Sequence, residues 1–133
     1  MDEFDAVLKE MTLEFFGSGQ HKIAADALLG MKDAVFLDVR SPCERESVAF
    51  ALKHHLQVLE IPTDEIPARI GEIPRGKMIG VFCSSAVRSA IVYAYLRCKG
   101  YGEVRIVTGG YAAVVEALVP GNLLRHLQRT KKE

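Results

Sequence analysis

Apolar side chains along this chain recur in two alternating rhythms, one helical and one extended. Phe4, Val7, Leu8 and Met11 fall at helical spacing, which predicts a short amphipathic helix over 2–11 packed on the main body and ended by Gly17-Ser18-Gly19. Ile23, Ala27, Leu28 and Met31 predict another short helix, closed at Gly30 or at Lys32-Asp33. The run from Ala34 to Val39 is then nearly all apolar, as in a strand covered on both faces, and it ends in charge at Asp38 and Arg40. Ser41-Pro42 supplies a cap and a first helical position, with Glu44 and Glu46 suited to the positive helix end.

Further along, Gln57 to Ile61 reads as a second strand and Thr63-Asp64-Glu65 as the capped start of a helix toward Gly71. Lys77 to Phe82 is a third strand, and residues 89–99 form a helix stopped by Gly100. Val104 to Val107 is a fourth strand, Gly109-Gly110 a turn, and the remainder a helix broken near Pro120-Gly121. Strands alternating with helices imply an α/β fold, with a mainly parallel central sheet flanked by helices on both faces. Ligands in such folds meet the carboxyl ends of the strands. The expected organisation is an N-terminal helical extension over 1–19, a central domain over 20–118, and a C-terminal helix and basic tail over 119–133 packed on that same domain.

Composition changes this picture little. Of the 133 residues, 49% are hydrophobic and 26% charged, enough for one compact core. Lys plus Arg and Asp plus Glu balance at 17 each, so no global field draws the chain to nucleic acid or to an anionic membrane. The acidic start and the basic end read as solvated termini. Cys43, Cys83 and Cys98 fit neither a disulfide framework nor a zinc spacing, and reduced thiols are expected. The N-terminus lacks a basic leader or a long apolar stretch, which points to the cytoplasm.

The informative stretch is Val81 to Ala90, where a buried strand runs into Cys83-Ser84-Ser85-Ala86-Val87-Arg88-Ser89 and directly into a helix. That order places a thiol where unpaired backbone N–H groups favour negative charge. Arg88 is close enough in sequence to depress the thiol pKa further, so Cys83 is expected to be largely ionised near neutral pH. The bland alternative is a small apolar residue ending a core strand. Two serines, an arginine and a helix start are poor companions for such a residue.

Five features together resemble the rhodanese family of sulfurtransferases over roughly residues 20–118. They are Leu37-Asp38-Val39-Arg40 followed by Ser41-Pro42-Cys43-Glu44; His54 ahead of Ile61-Pro62; Val81 to Ser89; Gly100-Tyr101 with Val104; and Gly109-Gly110-Tyr111. The resemblance implies a rhodanese-like fold and a thiosulfate sulfurtransferase class of activity. In that family the loop cysteine takes sulfane sulfur from a donor as a persulfide and passes it to a thiophilic acceptor, so the resemblance implies that role for Cys83. Ser84, Ser85, Ala86, Val87, Arg88 and Ser89 are then expected to bind the donor: amides of 84–88 as the cradle, Arg88 steering the anion, Ser84, Ser85 and Ser89 adding hydroxyl donors. No metal or organic cofactor is implied. The expected partners are a small sulfur-containing anion (thiosulfate or polysulfide) or a protein persulfide as donor and a thiol or acceptor protein, with the chain a monomer or dimer. The alternatives are a noncatalytic interaction domain of the same fold and a cysteine-dependent phosphatase or arsenate reductase. Retention of both Cys83 and Arg88 speaks against the first. Phosphatases of this type carry Cys-x5-Arg, whereas the spacing here is Cys-x4-Arg.

The chain departs from the family pattern at Ser84, where a basic residue is common, and at Ala86, where glycine is common. An alanine in a left-handed conformation is costly, and with one cation fewer thiosulfate is expected to be a poorer donor than a persulfide or polysulfide. Asp38 and Arg40 read as an architectural brace, with an Arg40–Glu44 ion pair fixing the following loop. His54 and His55 could exchange protons near neutral pH, but no spacing places them beside Cys83. Cys43 is a loop thiol, or alternatively a resolving thiol, and Cys98 is distant from the chemistry. Val114, Val115, Leu118, Val119, Leu123, Leu124 and Leu127 form a stripe that covers the sheet or, alternatively, a dimer or acceptor-docking surface.

Overall fold

The computed structural model describes residues 2–52 and 55–132. Five strands form one parallel sheet: β1 (Lys22–Ala24), β2 (Val35–Asp38), β3 (Gln57–Glu60), β4 (Ile79–Phe82) and β5 (Val104–Thr108), in the order β1-β5-β4-β2-β3. Its helices, among the described residues, are α1 (Glu3–Glu10), α2 (Leu13–Ser18), α3 (Ala25–Leu29), α4 (Pro42–Ser47), α5 (Ile66–Arg69), α6 (Val87–Cys98), α7 (Gly110–Ala117) and α8 (Pro120–Lys132). The mainly parallel α/β sheet expected from the strand and helix rhythm is therefore present.

Every residue of β2 and β4 is buried, and these strands lie inside the sheet with partners on both sides. Alternation along them divides the core. Val35, Leu37, Ile79, Val81 and Cys83 face the layer that holds Val92, Tyr93 and Leu96 of α6. Phe36 and Phe82 face the opposite layer, with Leu28 and Leu29 of α3 and Val114 of α7. Full burial of a side chain of this size contributes about 1.5–3 kcal/mol before entropy is counted. Gly80 in β4 faces that second layer, where a Cβ would come 2.3 Å from Leu28 Cδ2, so a bare backbone is what lets α3 approach.

Three segments depart from the sequence reading. Ile23 was expected to open a helix, but it belongs to edge strand β1, paired with Val107 of β5. Three residues are too few to show a period, and only the free edge of β5 makes them a strand. α2 was also unforeseen; Thr12 caps it by accepting the Phe15 N–H at 3.2 Å. The segment toward Gly71 is α5 flanked by 3₁₀ turns rather than one helix. No helix among the described residues is long and apolar enough to cross a membrane.

Candidate active site

The carboxyl ends of β2 and β4 are adjacent, with Asp38 in register with Phe82, so the loops that follow them meet. Cys83 continues the β4 alternation, and its side chain turns beneath the loop that leads into α6. It is 1% exposed. Burial by itself pushes the thiol pKa up, yet the net displacement is downward, because the Ser89 hydroxyl and amide bond the sulfur and the nearby amides of Ser85 and Ala86 add to the pull. Ser89 N donates to Sγ at 3.4 Å, and the Ser89 Oγ lies 3.5 Å from Sγ.

Ser89 is fully buried, and its hydroxyl is shared between two partners. With a neutral thiol, S–H donates to Ser89 Oγ, which donates to the Ala86 carbonyl at 3.1 Å. Ionisation reverses the first bond: the hydroxyl hydrogen turns to the sulfur. The Ala86 carbonyl is not orphaned by this, because it also accepts the Ala90 N–H at 2.9 Å.

The loop holds its curvature at a cost. Ala86 has φ 71° and ψ −10°, and among the described residues it is the one non-glycine with positive φ. The left-handed conformation that a glycine would adopt freely is thus held by alanine, at a strain of about 1–2 kcal/mol. Across the loop, Gly110 at the start of α7 lies so close that a Cβ there would come 2.8 Å from the Ser84 carbonyl oxygen. Ser85, Ala86 and Val87 are exposed at the rim, with Val87 presenting an apolar side chain outward.

Arg88 is paired in this structure. Its Nη1 and Nη2 donate to the two carboxylate oxygens of Glu44 at 2.6 and 2.7 Å, and Nη2 also donates to Ser84 Oγ at 3.1 Å. Glu44 is the third residue of α4 and part of its capping box: it accepts from Ser41 N at 3.1 Å and Ser41 Oγ at 2.8 Å, while its own N–H donates to that hydroxyl at 3.4 Å. Arg88 foremost, then Ser41, holds the Glu44 carboxyl well below the usual carboxylate range.

The expected Arg40–Glu44 ion pair is therefore corrected. Arg40 turns to the opposite face, where its Nη2 meets Asp38 Oδ2 at 2.7 Å and Nη1 donates to the Val48 carbonyl at 2.7 Å. Its guanidinium carbon stacks 5.3–5.4 Å from the rings of Phe50, Phe82 and Tyr111. It touches Glu44 through that residue's carbonyl oxygen alone, at 3.5 Å.

Outside the loop, Cys43 is exposed on α4, and all three cysteines are free. Cys98 lines an apolar groove of about 590 Å³ between α1 and α6. His55 packs edge-on against His126 of α8, ring centres 5.9 Å apart, and His54 lies outside the described residues. The C-terminal stripe is divided: Val114 is buried, whereas Val115 and Leu124 are exposed. Among the described residues no cluster of three or more His, Cys, Asp or Glu side chains is placed to hold a metal ion.

A parallel α/β sheet whose inner strand delivers a hydrogen-bonded thiol to the start of a helix defines a class of proteins with a cysteine at a strand-to-helix junction. Within that class, the rhodanese-like domain family matches residues 23–117, and the chain belongs to it. A sulfurtransferase of Allochromatium vinosum is 34% identical over 65% of this chain and 76% of its own length. A tRNA sulfurtransferase of Mannheimia succiniciproducens is 29% identical over 67% of this chain, but the match spans only 18% of that longer protein. The crystal structure of a rhodanese-related protein from Thermoplasma volcanium superposes with a TM-score of 0.63 at 28% identity, covering 75% of this chain and 95% of the other.

Proposed function

We propose that this protein is a sulfurtransferase that carries sulfane sulfur as a persulfide on Cys83. The observation that carries the reading is a buried sulfur whose pKa is drawn down, against its burial, by N–H and hydroxyl donors at the start of α6. Attack on a sulfur atom requires a thiolate, and these donors favour that form of Cys83.

In the first half-reaction the Cys83 thiolate attacks the outer sulfur of the donor. A new S–S bond forms as the donor's bond to that sulfur breaks, and the leaving group departs with the electron pair. The persulfide left on Cys83 is itself anionic, so donors that held the resting thiolate serve the loaded form as well. In the second half-reaction a thiophilic acceptor attacks the outer sulfur and Cys83 leaves as the thiolate. Ser89 is assigned the hydroxyl that follows the charge, and Ala86 the bend that aims its own amide and that of Ser85 inward. The sulfurtransferases of A. vinosum and M. succiniciproducens support this reading, as does the family itself. The three free thiols suit a reducing compartment, and the cytoplasm is the proposed location.

The test is direct. The protein is incubated separately with thiosulfate, mercaptopyruvate and polysulfide, and intact mass is examined for one added sulfur atom that cyanide removes. Uptake from at least one donor, abolished by Cys83→Ser, is expected. No adduct with any donor would overturn the proposal in favour of a noncatalytic interaction domain.

A further inference from the structure

Three guanidinium groups lie near the carboxyl ends of β2, β3 and β4, and each is paired; Arg45, bonded to the Arg40 carbonyl at 2.8 Å, meets Glu60 at 2.7 Å. Arg40 is buried on Asp38. Arg88 stands at the loop, but each of its Nη atoms is bonded to a carboxylate oxygen of Glu44, at 2.6 and 2.7 Å. Glu44 is in turn held from its other side by the backbone N–H and hydroxyl of Ser41. A bidentate pair anchored in this way presents almost no net charge to an approaching ligand. What remains at the loop is a set of amides, hydroxyls and the apolar Val87, 64% exposed.

We propose that Glu44 is a specificity-determining residue: by neutralising Arg88 it turns the site away from small oxyanion donors such as thiosulfate and toward sulfane sulfur carried on a thiol. The inference rests on the persulfide reading of Cys83. Thiosulfate must bring a dianion against a thiolate before the S–S bond forms and sulfite leaves, and that approach needs a free counter-charge. A thiol-borne persulfide carries at most one negative charge and reacts as R–S–SH, so it makes a smaller demand on a counter-charge. The Cys83 thiolate attacks its outer sulfur, the S–S bond of the donor breaks, and the electron pair leaves on R–S, which takes the proton. No oxidant or reductant enters.

Glu44→Gln separates the two donor classes. Glutamine at the third helical position preserves the capping box, so the fold is kept while Arg88 is unmasked. Loading of the 133-residue chain is followed with thiosulfate, a dianion, and with the persulfide of N-acetylcysteine methyl ester, which carries at most one charge, at one ionic strength. In E44Q, kcat/KM for thiosulfate is expected to rise about tenfold, while that for the alkyl persulfide, with at most half the charge, changes by less than about threefold. The double variant E44Q/R88Q, which exchanges one neutral pair for another, is expected to restore the original ratio between the donors. An E44Q ratio equal to that of the unaltered protein would overturn the proposal. Should E44Q fail to fold, the double variant decides: a loss confined to thiosulfate would show that Arg88 had been serving as a free cation and would equally overturn it. If neither donor adds sulfur to the unaltered protein, the persulfide reading falls, and this proposal falls with it.

Discussion

Two arginine–carboxylate pairs stand side by side at the carboxyl edge of the sheet, and their surroundings differ. Arg40 with Asp38 lies within the aromatic layer under Phe50, Phe82 and Tyr111 and is 1% exposed. Arg88 with Glu44 is about one third exposed on both partners and joins α4 to the loop after β4. The first charge cannot leave its partner without being stranded in low dielectric, so it fixes the chain. The second can exchange its partner for water at little cost. Chemically similar pairs thus divide into a brace and an electrostatic setting for the loop, and burial makes the division.

The largest expected effect tests the brace. Asp38→Ala leaves a buried guanidinium without its carboxylate and is expected to destabilise the fold by about 3–5 kcal/mol, measured by denaturant unfolding. A cost near that of an exposed pair would erase the contrast. Next is the thiol between the two pairs. Ser89→Ala removes one hydroxyl donor from Sγ and is expected to raise the Cys83 pKa. Because the thiolate is the reactive form and predominates above the pKa, the inflection in alkylation rate against pH moves to higher pH in S89A. An unmoved inflection would remove Ser89 from the charge-holding set.

A smaller gain is expected at the strained residue of the loop. Ala86→Gly relieves the left-handed strain and should stabilise the protein by about 1 kcal/mol or less once the freer unfolded chain is counted, read as a raised denaturation midpoint. A loss would show that the alanine methyl packs usefully. Smallest is Glu44→Gln, expected to cost at most about 1 kcal/mol, as for other part-exposed pairs. Arg88 holds the folded carboxyl below its ordinary value of 4.5. The stabilisation from that charge is therefore complete above the ordinary value and is lost as pH falls toward the folded one. The stability difference between the unaltered protein and E44Q should shrink on acidification through that range; a constant difference would mean that the charge contributes nothing.

Much of the strand-and-helix order was legible because each signal is local. The apolar runs of β2 and β4 announce burial on both faces, Ser41-Pro42-Cys43-Glu44 spells a capped helix start, and Cys83 precedes a helical run by only a few residues. β1 was not legible, since its strand character comes from the exposed edge of β5. The Asp38–Arg40 brace was legible, but the added Arg40–Glu44 ion pair was not correct, because Arg40 turns into the layer of Phe50, Phe82 and Tyr111 while the Glu44 carboxylate meets Arg88.

By its own residues the chain determined an alternating α/β order and a thiol at a strand-to-helix junction, since hydrophobic period, capping and backbone polarity act within a few positions of one another. Only the tertiary structure decided which carboxylate meets Arg88, which charge is buried, and that Gly110 closes on the Ser84 carbonyl. Those outcomes depend on which strands become neighbours. Pairing β2 with β4 brings residues 44 positions apart within bonding distance, and hydropathy along a chain does not encode the partner of a charge at that separation.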